Sequence, residues 1–483
     1  MRRSSQEVVA TRASLRDEMA SGDLGDARLN ARRNRLVTIL EGHPDRGFPE
    51  ACGDDSEAEA LYRFLRNERV SLAGIIEPHL RATSERCQAV GEVLVIHDTT
   101  EHNFTGQKVR TGLTVLGPQR QGFWMHAALA VSADGVRAPL GVLGVAPFVR
   151  RHRGEAGPPQ PWRQRFQAPE KHSRRWIDGV AEARTRLGPQ VHAIHVMDRE
   201  GDSYELFADL VQHGDAFVIR THYDRRMAGR DAAAATDTLH GAIPQTTFLC
   251  ERTIALAPRP EVHRPADAAR RHPSREGRSA TLRFAARPVV VQRPDQYGDR
   301  VPTTLTLNMI YVWEINPPPG EAPVEWRLLT TAPITTVTQV LQVVDWYRTR
   351  WLIEEFFKGL KTGCAYEQRQ LESLDTLLVA LGLFLPIAWQ LLLLRHLARD
   401  MPEAPASVVL TSRQLQILHA ASHARLRAVP TVADAVHFIA RLGGHLRQNK
   451  EPGWLVLSRG MQTLRSMEAG WLAARDTRRS DQS

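Results

Sequence analysis

The sequence predicts an α/β protein whose core carries a β-rich insertion and whose two ends are helical. Three observations predict it. Between residues 91 and 221, apolar runs of strand length alternate with stretches of helical periodicity, the pattern of an α/β sheet. From 222 to 330 the pattern becomes β segments separated by long polar loops. The first 70 residues, and everything from Thr336 onward, read as helix.

Taken in order, LGDARLNARRNRLVTIL puts Arg28, Arg32 and Arg35 on one helical face and Leu29, Leu36 and Leu40 on another. By itself such a basic stripe is an ordinary solvated face. Ser56 and Glu59 have capping-box spacing and predict the start of the next helix, EALYRFLRN. VLVIHD (Val93–Asp98) is a short apolar strand closed by an acid. FWMHAALAVSADGVRAPLGVLGV reads as two strands around an Ala133-Asp134-Gly135 turn. The Pro- and Arg-rich stretch after it is loop. A helix from about Ser173 to Leu187 leads to a second acid-closed strand, VHAIHVMD (Val191–Asp198), then to a helix, SYELFADLVQHG, and a strand, DAFVIRT. In the insertion, TTFLCERTIALAP, ATLRFAARPVVVQ and TLTLNMIYVWEINPPPGEAPVEWRLLT are β segments, punctuated by Pro317 to Gly320.

The 19 residues from Thr376 to Leu394 carry no charge, which is close to the length of a membrane span. Pro386, Gln390 and the closely flanking charges predict a helix buried in a core instead. No membrane partner is expected.

Composition narrows the function. The chain has 483 residues, enough for about two to four domains. Its 42% apolar and 24% charged content is that of an ordinary globular protein. Lys plus Arg number 63 against 54 acids, so the net charge of +9 suits a polyanionic partner without requiring one. Cys52, Cys87, Cys250 and Cys364 form no CxxC pair, which argues against a zinc knuckle or a disulfide framework and fits a reduced, cytoplasmic setting. MRRSSQEVVATRASLRDEMA lacks the apolar stretch of a secretory signal.

Two acids stand at the ends of apolar strands, Asp98 and Asp198. Beyond strand ends is where ligands gather in open α/β sheets. A carboxylate there suits a hard cation such as Mg²⁺; either aspartate alone reads as a residue that only starts a turn, and it is the pair that brings the cation into play. A third acid lies in VVDWYRTRWLIEEFFKGLKTG, read as one helix. At about 100° per residue, Tyr347, Arg350, Glu354 and Lys361 share one face of it. Trp346, Leu352, Ile353, Phe356 and Phe357 can pack the helix down. Taken alone, Arg350 and Glu354 make a common i, i+4 pair. Together the three acids suggest two-metal phosphoryl transfer, in which Arg350 and Lys361 would balance charge on phosphate oxygens.

These residues resemble the transposon-five type within the insertion-sequence-four family of DDE transposases. Tyr347, Arg350, Glu354 and Lys361 match that family's YREK signature in spacing. VIHDTT matches its Asp-Thr-Thr with Asp98, Thr99 and Thr100, and DREGD is similar to its Asp-Arg-Glu with Asp198, Arg199 and Glu200. LGDARLNAR, YRFLRN, EINPPPGEAPVEWRLLT, ARLGG and GMQTLRSMEAGWLAARD extend the likeness over nearly the whole chain.

The resemblance implies a ribonuclease-H-like catalytic domain at 73–398, with 222–330 as its β-rich insertion. It implies a helical domain at 1–72 that binds double-stranded DNA at the transposon ends, and a helical C-terminal domain at 399–483 that dimerises. Asp98, Asp198 and Glu354 would be both the catalytic acids and the ligands of two Mg²⁺ or Mn²⁺ ions. Such an enzyme cuts its terminal repeats through a hairpin and joins the 3′ ends to target DNA. Trp326 would stack a flipped base, and Tyr347, Arg350, Lys361 and, more weakly, Arg220 would touch phosphates. Arg28 and Arg32 would contact the end. Leu29 departs from the family's more basic motif, so a different terminal sequence is expected. The arginine-rich loops at 150–165 and 270–278 are either DNA contacts or solvated loops, and the solvated reading is favoured. Met461, Leu464, Met467 and Trp471 form an apolar stripe that is either core or dimer face, and the resemblance favours the dimer. A DNA-binding regulator without catalysis and a stand-alone nuclease on the same core are the competing readings; the intact acids and signature lysine argue against the first, the flanking helical domains against the second.

Overall fold

The computed structural model describes residues 2–104, 106, 109–117, 120–149, 172–228, 238–256, 276–421, 427–446 and 451–480. The predicted loop at 150–165 lies outside them, as do residues 270–275. The chain divides into two compact units. One comprises 1–160, 178–193 and 351–483; the other comprises 161–177 and 194–350.

The N-terminal elements are α1 (Ser5–Ala10), α2 (Leu15–Ala20), α3 (Ala27–Gly42), α4 (Phe48–Cys52), α5 (Asp55–Leu65) and α6 (Leu72–Val90). They are followed by β1 (Glu92–Asn103), β2 (Thr114–Gly117), β3 (Arg120–Ser132), β4 (Pro139–Phe148), α7 (His172–Leu187), β5 (His192–Met197), α8 (Tyr204–His213) and β6 (Ala216–Arg220). The insertion supplies β7 (Phe248–Leu256), β8 (Arg278–Gln292), β9 (Thr304–Ile315) and β10 (Glu325–Thr330). Then come α9 (Val337–Thr349), α10 (Trp351–Lys358), α11 (Leu374–Asp400), α12 (Ser412–Ala421), α13 (Val432–Leu442) and α14 (Trp454–Ser480).

In the first unit, β3 is the hub. It pairs antiparallel with β1 from Val93↔Ser132 to Asn103↔Gly122, with β2 and with β4. The β3–β4 turn falls where predicted: Asp134 accepts Ser132 Oγ–H at 2.7 Å and the Val136 and Arg137 N–H groups at 3.2 Å. α6 packs on β4, β1 and β3, and α11 packs on α6 and β4. α11 is a core helix, as expected of an uncharged stretch broken by Pro386. Its most apolar window is 89% buried, and Trp389 Nε1 donates to Pro139 O at 3.1 Å.

The second unit holds β5 and β6 in parallel, then β10, β9, β8 and β7 in successive antiparallel pairs. The insertion therefore adds strands to β6 through β10. α8 packs on β6 and β9, and α9 on β6.

Three local expectations are corrected. β1 does not end at Asp98. The β-branched Thr99 and Thr100 continue it, and pairing with β3 persists to Asn103, so Asp98 sits mid-strand opposite Ala127. α5 is capped by Asp54 rather than Ser56. The Asp54 carboxylate takes the Glu57 N–H at 2.8 Å and Ser56 Oγ–H at 2.7 Å, while Glu59 pairs with Arg63 at 2.6 Å. The signature segment is not one even helix. At Arg350 (φ −48°, ψ −32°) the turn tightens, its N–H bonding Tyr347 O at 3.1 Å, and α10 ends in a π turn at Gly359–Gly363. Uniform spacing of 100° per residue therefore fails between Glu354 and Lys361.

The C-terminal stripe is partly core. Met461 and Leu464 are buried, whereas Met467 is 37% exposed. Gly460 lets α14 lie directly on α13: a Cβ there would stand 1.8 Å from Ile439 O.

Candidate functional site

Asp98 and Glu354 belong to the same unit. Asp98 is half-buried on β1, one carboxylate oxygen taking the Thr99 N–H at 2.7 Å. α10 lies against β1 and carries Glu354, also half-buried. Ile353, Phe356 and Phe357 are the buried residues that seat α10, as their spacing predicted; Trp346 and Leu352 are half-buried. Lys361, on the π turn, donates Nζ–H to Glu101 O at 2.5 Å and lies 3.4 Å from Glu367.

Asp198 belongs to the second unit. It follows β5 directly and caps the short turn Arg199–Gly201, accepting the Glu200 N–H at 2.8 Å. The other aspartate of DREGD, Asp202, is structural. Its buried carboxylate takes the His222 and Tyr223 N–H groups at 2.6 and 2.8 Å and Arg225 Nε at 3.0 Å, tying down the loop after β6. Arg220, at the end of β6, gives Nη2–H to Glu325 O at 2.8 Å. Trp326, half-buried on β10, meets the buried Tyr347 edge-to-face with ring centroids 5.5 Å apart. Arg350, after α9, is half-buried in the same unit.

The N-terminal basic stripe lines a cleft of 610 Å³ between α3 and α5, walled by Arg28, Leu29, Arg32, Arg35, Arg63 and Phe64. Arg28 is almost fully exposed. Glu57 stands in the cleft, 2.6 Å from Arg32 and 3.6 Å from Arg35. The sequence reading missed Glu57, since nothing in its spacing ties it to a residue 25 positions earlier.

Residues 11–70 match the family described as transposase DNA-binding, and residues 171–385 match the transposase DDE domain. The chain carries the two domains of a DDE transposase. Asp198, Glu354 and Lys361 fall inside the matched DDE segment, and Asp98 precedes it. The α/β architecture with its ribonuclease-H-like core is the one that such a domain implies. Among solved structures, this transposase is similar to one described as a cryo-EM structure of the piggyBac transposase synaptic complex with hairpin DNA. The identity is 10%, the match covers 92% of this chain and 90% of that one, and the TM-score is 0.33, a likeness too slight to speak for any residue.

DDE domains typically work with divalent metal ions. Among the described residues, no three His, Cys, Asp or Glu side chains are gathered into a metal-holding group. The donor chemistry of the candidate acids is nonetheless that of a hard cation. Mg²⁺ characteristically takes one or two carboxylates and completes its shell with water and substrate phosphate.

Proposed function

We propose that this transposase acts by cut and paste. It binds the inverted repeats at the ends of its element, cleaves them through a hairpin, and joins the freed 3′ ends to target DNA. The observation that supports this best is the packing of α10, with Glu354, against β1, with Asp98, in a chain that carries both a transposase DNA-binding domain and a DDE domain.

In this reading Asp98, Asp198 and Glu354 are the catalytic acids and would hold two Mg²⁺ or Mn²⁺ ions. Bound there, the ions would activate the attacking oxygen and stabilise the leaving one. The remaining work belongs to the chain. Lys361, Arg350 and Tyr347 bind phosphate oxygens as charge develops on them, with Arg220 in a lesser role. Water attacks one phosphodiester and frees a 3′-OH. That hydroxyl attacks the opposite strand, closing a hairpin and releasing the flanking DNA. Water reopens the hairpin, and the 3′-OH then attacks a target phosphodiester. Trp326 receives a base turned out of the stack near the hairpin. Arg28 and Arg32 grip the end through α3. Residues 1–72, 73–398 and 399–483 would be the end-binding, catalytic and dimerisation domains. Two copies would act on one pair of ends in the cytoplasm, each cutting the end held by the other.

The test is cleavage of DNA carrying the element's own flanking ends, with Mg²⁺ or Mn²⁺, beside Asp98→Ala, Asp198→Ala and Glu354→Ala. Metal-dependent hairpin-ended products from the wild type alone, with end binding kept in all three variants, is the expected result. Near-normal cleavage by any variant overturns its assignment. Binding without cutting by the wild type makes the chain a regulator, and cutting without joining makes it a nuclease.

A further inference from the structure

We propose that Glu367 is a positioning residue for Lys361, holding the signature ammonium where it meets its phosphate, with His102 bracing the Glu367 carboxylate from the core side. The inference rests on the reading of Lys361 as a DNA contact.

A single oxygen of Glu367 faces three polar groups. Oε1 lies 3.4 Å from Lys361 Nζ, 3.4 Å from His102 Nδ1, and accepts the Asn103 N–H at 3.3 Å. All of these groups belong to one compact unit. His102 is fully buried, with Phe123 and Tyr366 at ring-centroid distances of 5.1 and 5.2 Å. Burial pushes its imidazole below the ordinary range, which favours the neutral ring beside the carboxylate. Burial pushes the Glu367 carboxyl up, but His102, Lys361 and the Asn103 N–H outweigh it and hold the group below its ordinary value, hence ionised.

The backbone is bent for this contact. After the π turn, Ala365 adopts φ 47° and ψ 37°, a left-handed conformation uncommon for a residue with a Cβ. Cys364, Ala365 and Tyr366 are all buried, which fixes the reversal. It carries Glu367 back past Lys361 instead of onward.

A lysine on a flexible four-carbon stem is a poor positioning device unless something fixes its head. Here Glu101 O accepts one of the three ammonium donors, and Glu367 Oε1 stands 3.4 Å away as the ion-pair partner. Among the described residues, that leaves a donor for a phosphate oxygen. The Lys361 side chain is 30% exposed, so this donor sits at the edge of the unit, open to a strand of DNA.

The experiment compares wild type, Glu367→Gln, Lys361→Ala and the double variant. It measures end affinity, cleavage rate at saturating DNA and thermal stability. Glu367→Gln should keep end affinity within about twofold and slow cleavage roughly 10- to 100-fold, the cost of misplacing a group near the reacting atoms. In the Lys361→Ala background, Glu367→Gln should cost nothing more, because its effect travels through the lysine. A further loss in that background would make Glu367 merely structural and overturn the proposal. So would cleavage within about twofold of wild type in Glu367→Gln while Lys361→Ala is inactive; that result would leave the reading of Lys361 intact. Full activity in Lys361→Ala would sink that reading and this one with it. If Glu367→Gln melts well below wild type, Glu367→Asp takes its place, with a smaller rate loss and the same non-additivity expected.

Discussion

Arg32 Nη1 lies 2.6 Å from Glu57 Oε1 across the cleft between α3 and α5, and Arg35 Nε lies 3.6 Å from the other oxygen of the same carboxylate. One acid thus occupies two arginines of the cleft proposed to grip DNA. A phosphate must compete with Glu57 for them. Glu57→Gln removes the competitor and leaves the arginines half-exposed and charged. The pair is partly exposed, so its strength is that of a surface bridge, about 0.2–1 kcal/mol. End-DNA affinity should rise roughly 1.4- to 5-fold, and the dependence of log affinity on log salt should steepen by up to about 0.9 per phosphate gained. Titration at several salt concentrations reads both. Unchanged affinity and slope would mean that DNA does not use this cleft.

A second acid is buried where it can only be structural. Glu18 on α2 meets Arg86 at 2.6 Å and also bonds His79, both on α6. His79 Nε2 accepts the Val142 N–H at 3.2 Å, so the proton must sit on Nδ1, donated to Glu18. Burial favours this neutral imidazole. Burial pushes the Glu18 carboxyl up, but His79 and Arg86 outweigh it and bring it to about 2, from an ordinary 4.5. A carboxyl held low in the fold stabilises above its unfolded value, and that stability is lost as pH falls through the folded one. Glu18→Gln should cost about 3–5 kcal/mol near neutral pH, because Arg86 is left buried without its counter-charge. Denaturation should show the gap to wild type narrowing between pH 4.5 and about 2. A gap that stays constant over that range would contradict the assignment.

Both networks mark the limits of what could be read from sequence. Elements with a strong local signal were legible: α7 and α8 from their helical pattern, the β3–β4 hairpin from two apolar runs around a turn, and the buried α11 from its uncharged run. Motif acids and the YREK residues were legible as patterns. Their surroundings were not. Asp98 falls inside β1 because β3 is long enough to keep pairing beyond it, and no local feature of VIHDTT reports the length of a partner strand. The helix through Glu354 changes pitch at Gly359, which a fixed angle per residue cannot anticipate. Glu57, Glu367 and His102 looked like ordinary residues because their partners are distant in the chain. Nothing in the run DREGD reports that the Asp202 side chain is buried and holds a loop.

That last distinction separates the two aspartates of DREGD. Asp202 and Arg225 are both buried, and the carboxylate is committed to backbone and guanidinium donors. Asp198 is half-exposed and makes a short cap. Asp202→Ala should therefore lower stability by about 3–5 kcal/mol, since it strands a buried guanidinium. Asp198→Ala should change stability by no more than about 1 kcal/mol, the loss of a cap, yet abolish cleavage. Thermal melts alongside a cleavage gel separate the two. A large stability loss in Asp198→Ala would make it structural as well.

The contact of Trp326 with Tyr347 bears on the later steps of the reaction. The two rings meet edge-to-face at 63°, so the Tyr347 ring supports the indole from its side. A flipped base stacking on that indole gains about 1–3 kcal/mol. Only a step that needs the base turned out should feel the loss. Trp326→Ala should leave the first nick within about twofold of wild type and slow hairpin formation roughly 5- to 150-fold, matching that energy. Trp326→Phe, which keeps a smaller π face, should recover part of it. Tyr347→Phe keeps the ring that supports the indole and removes a hydroxyl proposed to meet phosphate. It should slow the nick and the hairpin step alike. A denaturing gel that resolves nicked, hairpin and opened ends over time measures all three. Equal slowing of nick and hairpin in Trp326→Ala would mean that the tryptophan supports the fold of β10 rather than a base.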